Sequence, residues 1–154
     1  MKLEDLRRRQ HESVGFLLIR AGQLWNERAI NQVNALAGAP VLRESHTRLL
    51  PLLLRPDGAR VTELARRLGL TKQTVQPLVA ELKALGVVTT KPDERDGRAI
   101  RVVLTAQGLK GIASGNEVLK QIESELVEDF GRSEMKSLRK LLTRLLLQLE
   151  DEGD

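Results

Sequence analysis

Apolar residues recur at helical spacing through most of this chain. Val14, Leu17, Leu18, Ala21, Leu24, Trp25, Ala29 and Val33 predict one long amphipathic helix, from about Gln10 to Ala37. Gly38-Ala39-Pro40 ends it. Leu49, Leu50, Leu53 and Leu54 mark a second helix over about Leu42–Leu54, which Pro51 should kink or shorten. Arg55-Pro56-Asp57-Gly58 is a turn by composition. Thr62 reads as the N-cap of a short helix, Glu63–Leu68, that stops at Gly69. Thr71 reads as the N-cap of the next, Lys72–Leu85, with Gly86 at its end. The period then changes from helical to alternating. Ile100, Val102 and Leu104 alternate with polar or small residues, as a half-buried strand requires. Two strands, Val87–Lys91 and Arg98–Leu104, flank the turn-rich loop Pro92–Gly97. Thr105 caps a long helix, about Ala106–Asp129, with Leu109, Ile112, Leu119, Ile122 and Leu126 on one face. Gly131 breaks it, and Ser133 caps a last helix from Glu134 to about Leu149. Only the first and last few residues read as disordered.

This is a mainly α (α+β) pattern. Helix, short turn with Gly, second helix and two-stranded β-wing together make a winged helix-turn-helix. The predicted layout is a single domain over residues 1–154. Its winged helix-turn-helix spans residues 42–104, and N- and C-terminal helices (1–37 and 106–150) form a helical dimerisation region. The dimer follows from apolarity. Met135, Leu138, Leu141, Leu142, Leu145, Leu146, Leu147 and Leu149 form an arc too wide for one neighbour, and soluble monomers avoid large exposed apolar patches. Leu3 and Leu6 can join that surface. A bundle of the first, fifth and sixth helices within one chain is the alternative.

Charge sharpens the reading. The net charge of +4 is unevenly spread. Residues 60–104 carry 9 Lys/Arg and 5 Asp/Glu, whereas residues 105–154 carry 7 and 10. A basic middle beside an acidic C-terminal third suits contact with a polyanion. A second helix of this kind fits the major groove of duplex DNA, with its first turns facing base edges. Those turns hold Lys72, Gln73, Thr74 and Gln76, whose amide and hydroxyl groups hydrogen-bond bases. Helix N-termini at Thr62 and Thr71 suit phosphate, as do Arg66 and Arg67. Arg95 and Arg98 at the hairpin tip are long enough for a narrow minor groove, and Asp96 is placed to orient Arg98.

Other chemistry is thin. Cys is absent, which excludes disulfides, thiolate metal sites and thiol nucleophiles. His11 and His46 alone make a histidine metal cage a poor reading. No Gly-rich phosphate loop, Ser/His/Asp arrangement, HExxH or paired-carboxylate motif occurs, so the chain reads as a non-enzyme without cofactor. The N-terminus lacks the apolar core of a signal peptide and no apolar run approaches a membrane span, which predicts a cytoplasmic protein with no membrane partner.

The stretch VTELARRLGLTKQTVQPLVAELKALGVVTTKPDERDGRAIRVVLTAQG resembles the multiple-antibiotic-resistance regulator (MarR) family, most specifically in LARRLGLTKQTV and PDERDGRA. The resemblance extends to the layout of helices along the whole chain. It implies a homodimeric regulator of transcription, usually a repressor, bound to double-stranded DNA and often released by a small-molecule effector. By that match Gln73, Thr74 and Gln76 face bases, and Arg98 enters the minor groove with Asp96 as its partner. Pro77 and Thr90 depart from the pattern, the first replacing a frequent polar or Arg residue and the second a frequent Arg. The family pocket falls on the first two helices, where Arg20, Trp25, Arg43 and His46 are the candidate effector contacts. Trp25 and His46 read more readily as core or surface residues than as ligand contacts, and ordinary salt bridges account equally well for Arg20 and Arg43. Gly108, Gly111 and Gly115 near one face of the fifth helix suit close helix packing, or room for a ligand. A winged-helix module that binds protein, or a nonspecific architectural DNA-binding protein, are the alternatives to a regulator.

Overall fold

The architecture of the computed structural model, which describes residues 3–151, follows from where local caps and cross-strand pairing interrupt the helical pattern. The chain ends read as disordered lie partly outside the described residues. Helices α1 (Leu3–Glu12) and α2 (Val14–Asn34) replace the single helix expected over Gln10–Ala37. Ser13 causes the break. Its backbone is extended and its hydroxyl accepts the Phe16 N–H at 3.4 Å, so it caps α2 from inside an apolar repeat that runs past it. At the other end, Asn34 ties α2 to the following segment, bonding both the N–H and the C=O of Leu42.

The second helix is shorter than expected. Helix α3 is Glu44–Leu49, continued by a 3-10 turn over Leu50–Leu53. Pro51 lacks the N–H a further α-turn needs, which accounts for the tightening. A two-residue strand, β1 (Ala59–Arg60), comes next, then α4 (Val61–Leu68) and α5 (Lys72–Ala84). Strands β2 (Val88–Asp93) and β3 (Asp96–Leu104) form the wing. The sheet is antiparallel in the order β1-β3-β2, so the two-stranded wing of the sequence reading has a third strand at its root. Because Arg60 is extended in β1, it is the N-cap of α4, and Thr62 lies inside the helix rather than capping it. The wing strands run further than periodicity indicates, and the turn shrinks to Glu94-Arg95.

One apolar cluster holds these pieces. Leu49 and Leu53, Leu64 and Ala65, Val75, Val79 and Leu82, and Val88 and Val102 are all buried in it. Each large aliphatic side chain so buried contributes roughly 1.5–3 kcal/mol. Two glycines permit its closest approaches. Gly58 has φ +63°, and a Cβ there would stand 1.9 Å from the Val102 carbonyl oxygen, so β1 can pair with β3 only with glycine at this turn. A Cβ on Gly108 would stand 2.1 Å from the Val87 carbonyl oxygen.

Helix α6 (Ala106–Phe130) starts as expected: Thr105 accepts the Gly108 N–H at 3.0 Å and donates to the Gly86 carbonyl at 2.6 Å. Helix α7 is Arg132–Asp151, so Ser133 lies within it and does not cap it. Gly131, at φ +93°, makes the break. The chain forms two compact units, divided between Asn116 and Glu117. In the second, Val118, Ile122 and Met135 are buried and Arg139 pairs with Glu123. Leu138, Leu141, Leu142, Leu146, Leu147 and Leu149 on α7 stay exposed, Leu141 at 60%. Among the described residues no helix is long and apolar enough to cross a membrane.

The glycines of α6 give a paired test. Gly108→Ala forces a methyl group against the Val87 carbonyl and should cost about 1–3 kcal/mol. Gly111, with no atom within 4 Å of the added methyl, should gain up to about 1 kcal/mol as alanine. Urea unfolding of both variants reads the opposite signs.

Candidate nucleic-acid interface

Helix α5 divides its residues cleanly. Val75, Val79 and Leu82 are buried at i, i+4 and i+7, while Lys72, Gln73, Thr74, Gln76 and Pro77 are exposed. Thr71 caps the helix as expected, accepting the Thr74 N–H at 3.2 Å. Its hydroxyl also lies 2.8 Å from that of Thr74, which orients the Thr74 side chain. Pro77 sits inside α5 without interrupting it. Proline cannot donate the bond that the Gln73 carbonyl would receive from residue 77, so a main-chain acceptor is released in the exposed first turns. Thr90 accepts from Lys83 of α5 at 3.4 Å, a link between α5 and β2.

Of the other DNA-contact candidates, Thr62, Arg66, Arg67, Arg95, Asp96 and Arg98 are all exposed. Asp96 does not meet Arg98 in the way the sequence suggests. Its Oδ1 accepts the Arg98 backbone N–H at 3.3 Å, and its Oδ2 lies 3.7 Å from the Arg60 guanidinium. Asp96 therefore shapes the turn that carries Arg98 and does not grip the Arg98 guanidinium.

The wing root holds a cluster that sequence reasoning missed. In the register of the sheet Arg60 lies opposite Arg101, a like-charge pair that is destabilising by itself. Asp93, only 3% exposed, resolves it. Its Oδ2 accepts from Arg60 Nε at 2.8 Å and from Arg101 Nη1 at 3.0 Å, and its Oδ1 accepts the Arg95 N–H at 2.9 Å. Arg101 also donates to the carbonyls of Asp57 and Gly58, at 2.7 and 3.0 Å. The Arg60 hydrogen bond, then the Arg95 N–H and Arg101, hold the Asp93 carboxyl well below the usual carboxylate range, and Asp93 raises Arg60 in turn. The signal for this cluster was the third strand, and two residues are too few to show a period.

The effector candidates separate. Arg20 is exposed on α2 and lines a shallow polar groove with Gln23, Asn26, Glu27, Asn31 and Glu44. Trp25 is half-buried and is not among the residues lining that groove. Arg43 and His46 are both engaged with Glu81 of α5. Of the three glycines on α6, only Gly108 makes a close approach.

The Asp93 cluster should give stability a defined pH dependence. A carboxyl held low in the folded state and normal in the unfolded chain stabilises above about pH 4. That contribution is lost as pH falls below it. Asp93→Asn should therefore lower the urea midpoint at pH 7, and the gap to the parent chain should narrow from pH 5 to pH 3. A gap that stays constant across that range would contradict the assignment.

The sequence profile of the MarR family matches residues 42–99. A search of curated protein sequences gives no match. Solved structures share the fold. The transcriptional repressor CouR, in a complex with a 23-mer DNA duplex, is 24% identical with TM-score 0.68, over 95% of this chain and 98% of that one. CouR from Rhodococcus jostii RHA1 bound to p-coumaroyl-CoA is 23% identical with TM-score 0.65, over 88% and 93%. MepR, a transcription regulator of a Staphylococcus aureus multidrug efflux pump, is 19% identical with TM-score 0.68, over 89% and 98%. CouR and MepR are named as a transcriptional repressor and a transcription regulator. The match to the MarR family is thus confined to residues 42–99, and the fold of the chain is shared with these solved winged-helix regulators.

Proposed function

We propose that this protein is a sequence-specific DNA-binding regulator, a repressor that acts in the cytoplasm as a homodimer on an inverted-repeat operator. The observation that carries the reading is the division of α5: one face is buried, and the first turns present Lys72, Gln73, Thr74 and Gln76 to solvent. Gln73, Thr74 and Gln76 read base edges in the major groove. Lys72, Arg66 and Arg67, with the helix starts at Thr62 and Thr71, meet phosphates. Arg95 and Arg98 reach the minor groove from the wing, on a turn that Asp96 shapes. The winged helix-turn-helix over residues 42–104 is the DNA-binding region, and residues 1–37 and 106–150 are the dimerisation region. The exposed leucines of α7 support the dimer, because that much apolar surface is seldom left in water. A two-fold dimer sets its recognition helices about 34 Å apart, one turn of duplex.

Two solved structures of one similar protein support the partners. CouR is named in complexes with a DNA duplex and with p-coumaroyl-CoA. By analogy a small-molecule effector releases this protein from DNA, with Arg20 in the groove along α2 as its contact.

Fluorescence anisotropy with DNA from upstream of the protein's own gene, against scrambled DNA at two salt concentrations, tests the reading. The regulator should hold one site at physiological salt. Equal binding to both duplexes would indicate an architectural protein, and no binding at low salt a protein-interaction module. Arg98→Ala should weaken binding to all sequences and lower the salt slope by about 1. Gln76→Ala should cost about 1–3 kcal/mol at the preferred site alone. Replacing Leu142 and Leu146 together by Glu should convert the dimer to monomer in sedimentation velocity and abolish tight binding.

A further inference from the structure

Glu81 stands in the third turn of α5, and two groups from the start of α3 converge on it. The Arg43 guanidinium donates to its Oε2, and His46 Nε2 lies 2.9 Å from the same oxygen. His46 is 2% exposed, although it is a polar ring beside an apolar core. Its other nitrogen, Nδ1, receives the Arg43 backbone N–H at 3.2 Å. That bond settles the tautomer. A backbone N–H can only donate, so Nδ1 is the unprotonated nitrogen and Nε2–H is the donor to Glu81. Both ring nitrogens are satisfied, and only the neutral ring satisfies both.

We propose that Glu81, gripped jointly by Arg43 and His46, sets the position of the recognition helix against α3, and that Arg43 and His46 act on DNA binding as positioning residues through it. The inference rests on the reading of α5 as the DNA-contacting helix. No backbone hydrogen bond joins two helices, so side chains alone define their spacing. Apolar contacts permit small sliding, whereas a carboxylate held from two directions does not. The grip lies one to three turns from Gln73, Thr74 and Gln76, on the same rigid helix. A shift at Glu81 therefore moves all three together.

The grip is also sensitive to protons. A second proton on His46 must sit on Nδ1, where it meets the Arg43 N–H head-on. The N-terminal bond of α3 is then lost. Burial, and after it the nearby Arg43 cation, hold the imidazole below its ordinary value. The attraction of Glu81 for a charged ring opposes this without reversing it. Among the charged groups described on the other elements packed on α3, those with a placed partner or setting lie away from the ring. On α2, Asn26 bonds Thr47, while Arg20 and Glu27 line the outer groove with Glu44. On α4, Glu63 pairs with Arg55, and Arg66 and Arg67 are exposed. The 3-10 turn Leu50–Leu53 carries no charge. A base held neutral in the folded state and titrating normally in the unfolded chain stabilises the fold above about pH 6.5. Its contribution is lost as pH falls below that value.

The test uses the full chain and a fluorescent duplex selected from a randomised library by the parent protein at low salt. Glu81→Gln keeps an acceptor for His46 but removes the charge that Arg43 grips. His46→Gln removes the titrating ring. Both variants should keep the parent circular dichroism spectrum and lose about 5-fold or more in affinity at pH 7.5. The parent should lose a further several-fold between pH 7.5 and pH 5.5, and His46→Gln should not. His11 is present in both chains and cancels. Should His46→Gln fail to fold, Glu81→Gln still decides, because its side chain is 41% exposed. Full affinity in a folded Glu81→Gln chain overturns the proposal, as does a pH dependence unchanged by His46→Gln. Ring nitrogen NMR of the parent provides a reading independent of DNA: the Nε2–H tautomer at pH 7 is expected, and an Nδ1–H tautomer overturns the grip. If the parent enriches no duplex, the DNA reading itself fails, before any variant is made.

Discussion

Two arginines face each other where β1 pairs with β3, and one buried carboxylate makes that tolerable. Asp93 accepts from Arg60 at the start of α4, from Arg101 in the middle of β3 and from the Arg95 main chain in the wing turn. Three parts of the winged helix are thereby tied to one side chain. The first is the entry to the helix-turn-helix, the second the central strand and the third the tip of the wing. Arg101 extends the tie to the carbonyls of Asp57 and Gly58, in the turn that leads into β1. A buried, unpaired carboxylate would be costly, and so would either arginine left without it. The exposed Arg95 and Arg98 are thus carried on a turn braced from inside, which reduces the ordering they would owe on binding a partner.

Helix α5 is held by a different set of forces on each side. Val75, Val79 and Leu82 set its depth in the core. Thr71 sets where it begins. The Lys83–Thr90 contact links it to the sheet, and Glu81 links it to α3. Its exposed turns carry little besides hydrogen-bonding groups. Apolar burial supplies most of the stability here, while the polar links determine direction. A DNA reader needs both, since an error of about an ångström at a base edge removes a hydrogen bond. On the proposed reading, the excess of basic residues between 60 and 104 would add attraction that is indifferent to sequence, and the first turns of α5 are where discrimination would arise.

The parts of the site legible in the sequence were those written in short-range chemistry. Thr71 and Thr105 cap helices because a hydroxyl reaches a backbone N–H three residues on, and both N-termini were read correctly. Ser13 follows the same rule, yet the apolar repeat runs through it and hid the break. Thr62 misled for the opposite reason. A short strand took the preceding residues, so the helix began before the threonine that looked like its cap.

Periodicity and capping chemistry in the sequence by themselves determined the order of helices, the wing, the buried face of α5 and the polar character of its exposed turns. These depend on neighbours within about one helical turn, and such neighbours are written side by side. Only the tertiary structure decided which charges meet. Arg60 and Asp93 are 33 residues apart, His46 and Glu81 are 35, and Arg101 and the Asp57 carbonyl are 44. An ion pair has no period, and any of 25 basic residues can face any of 21 acidic ones until packing brings two of them within reach.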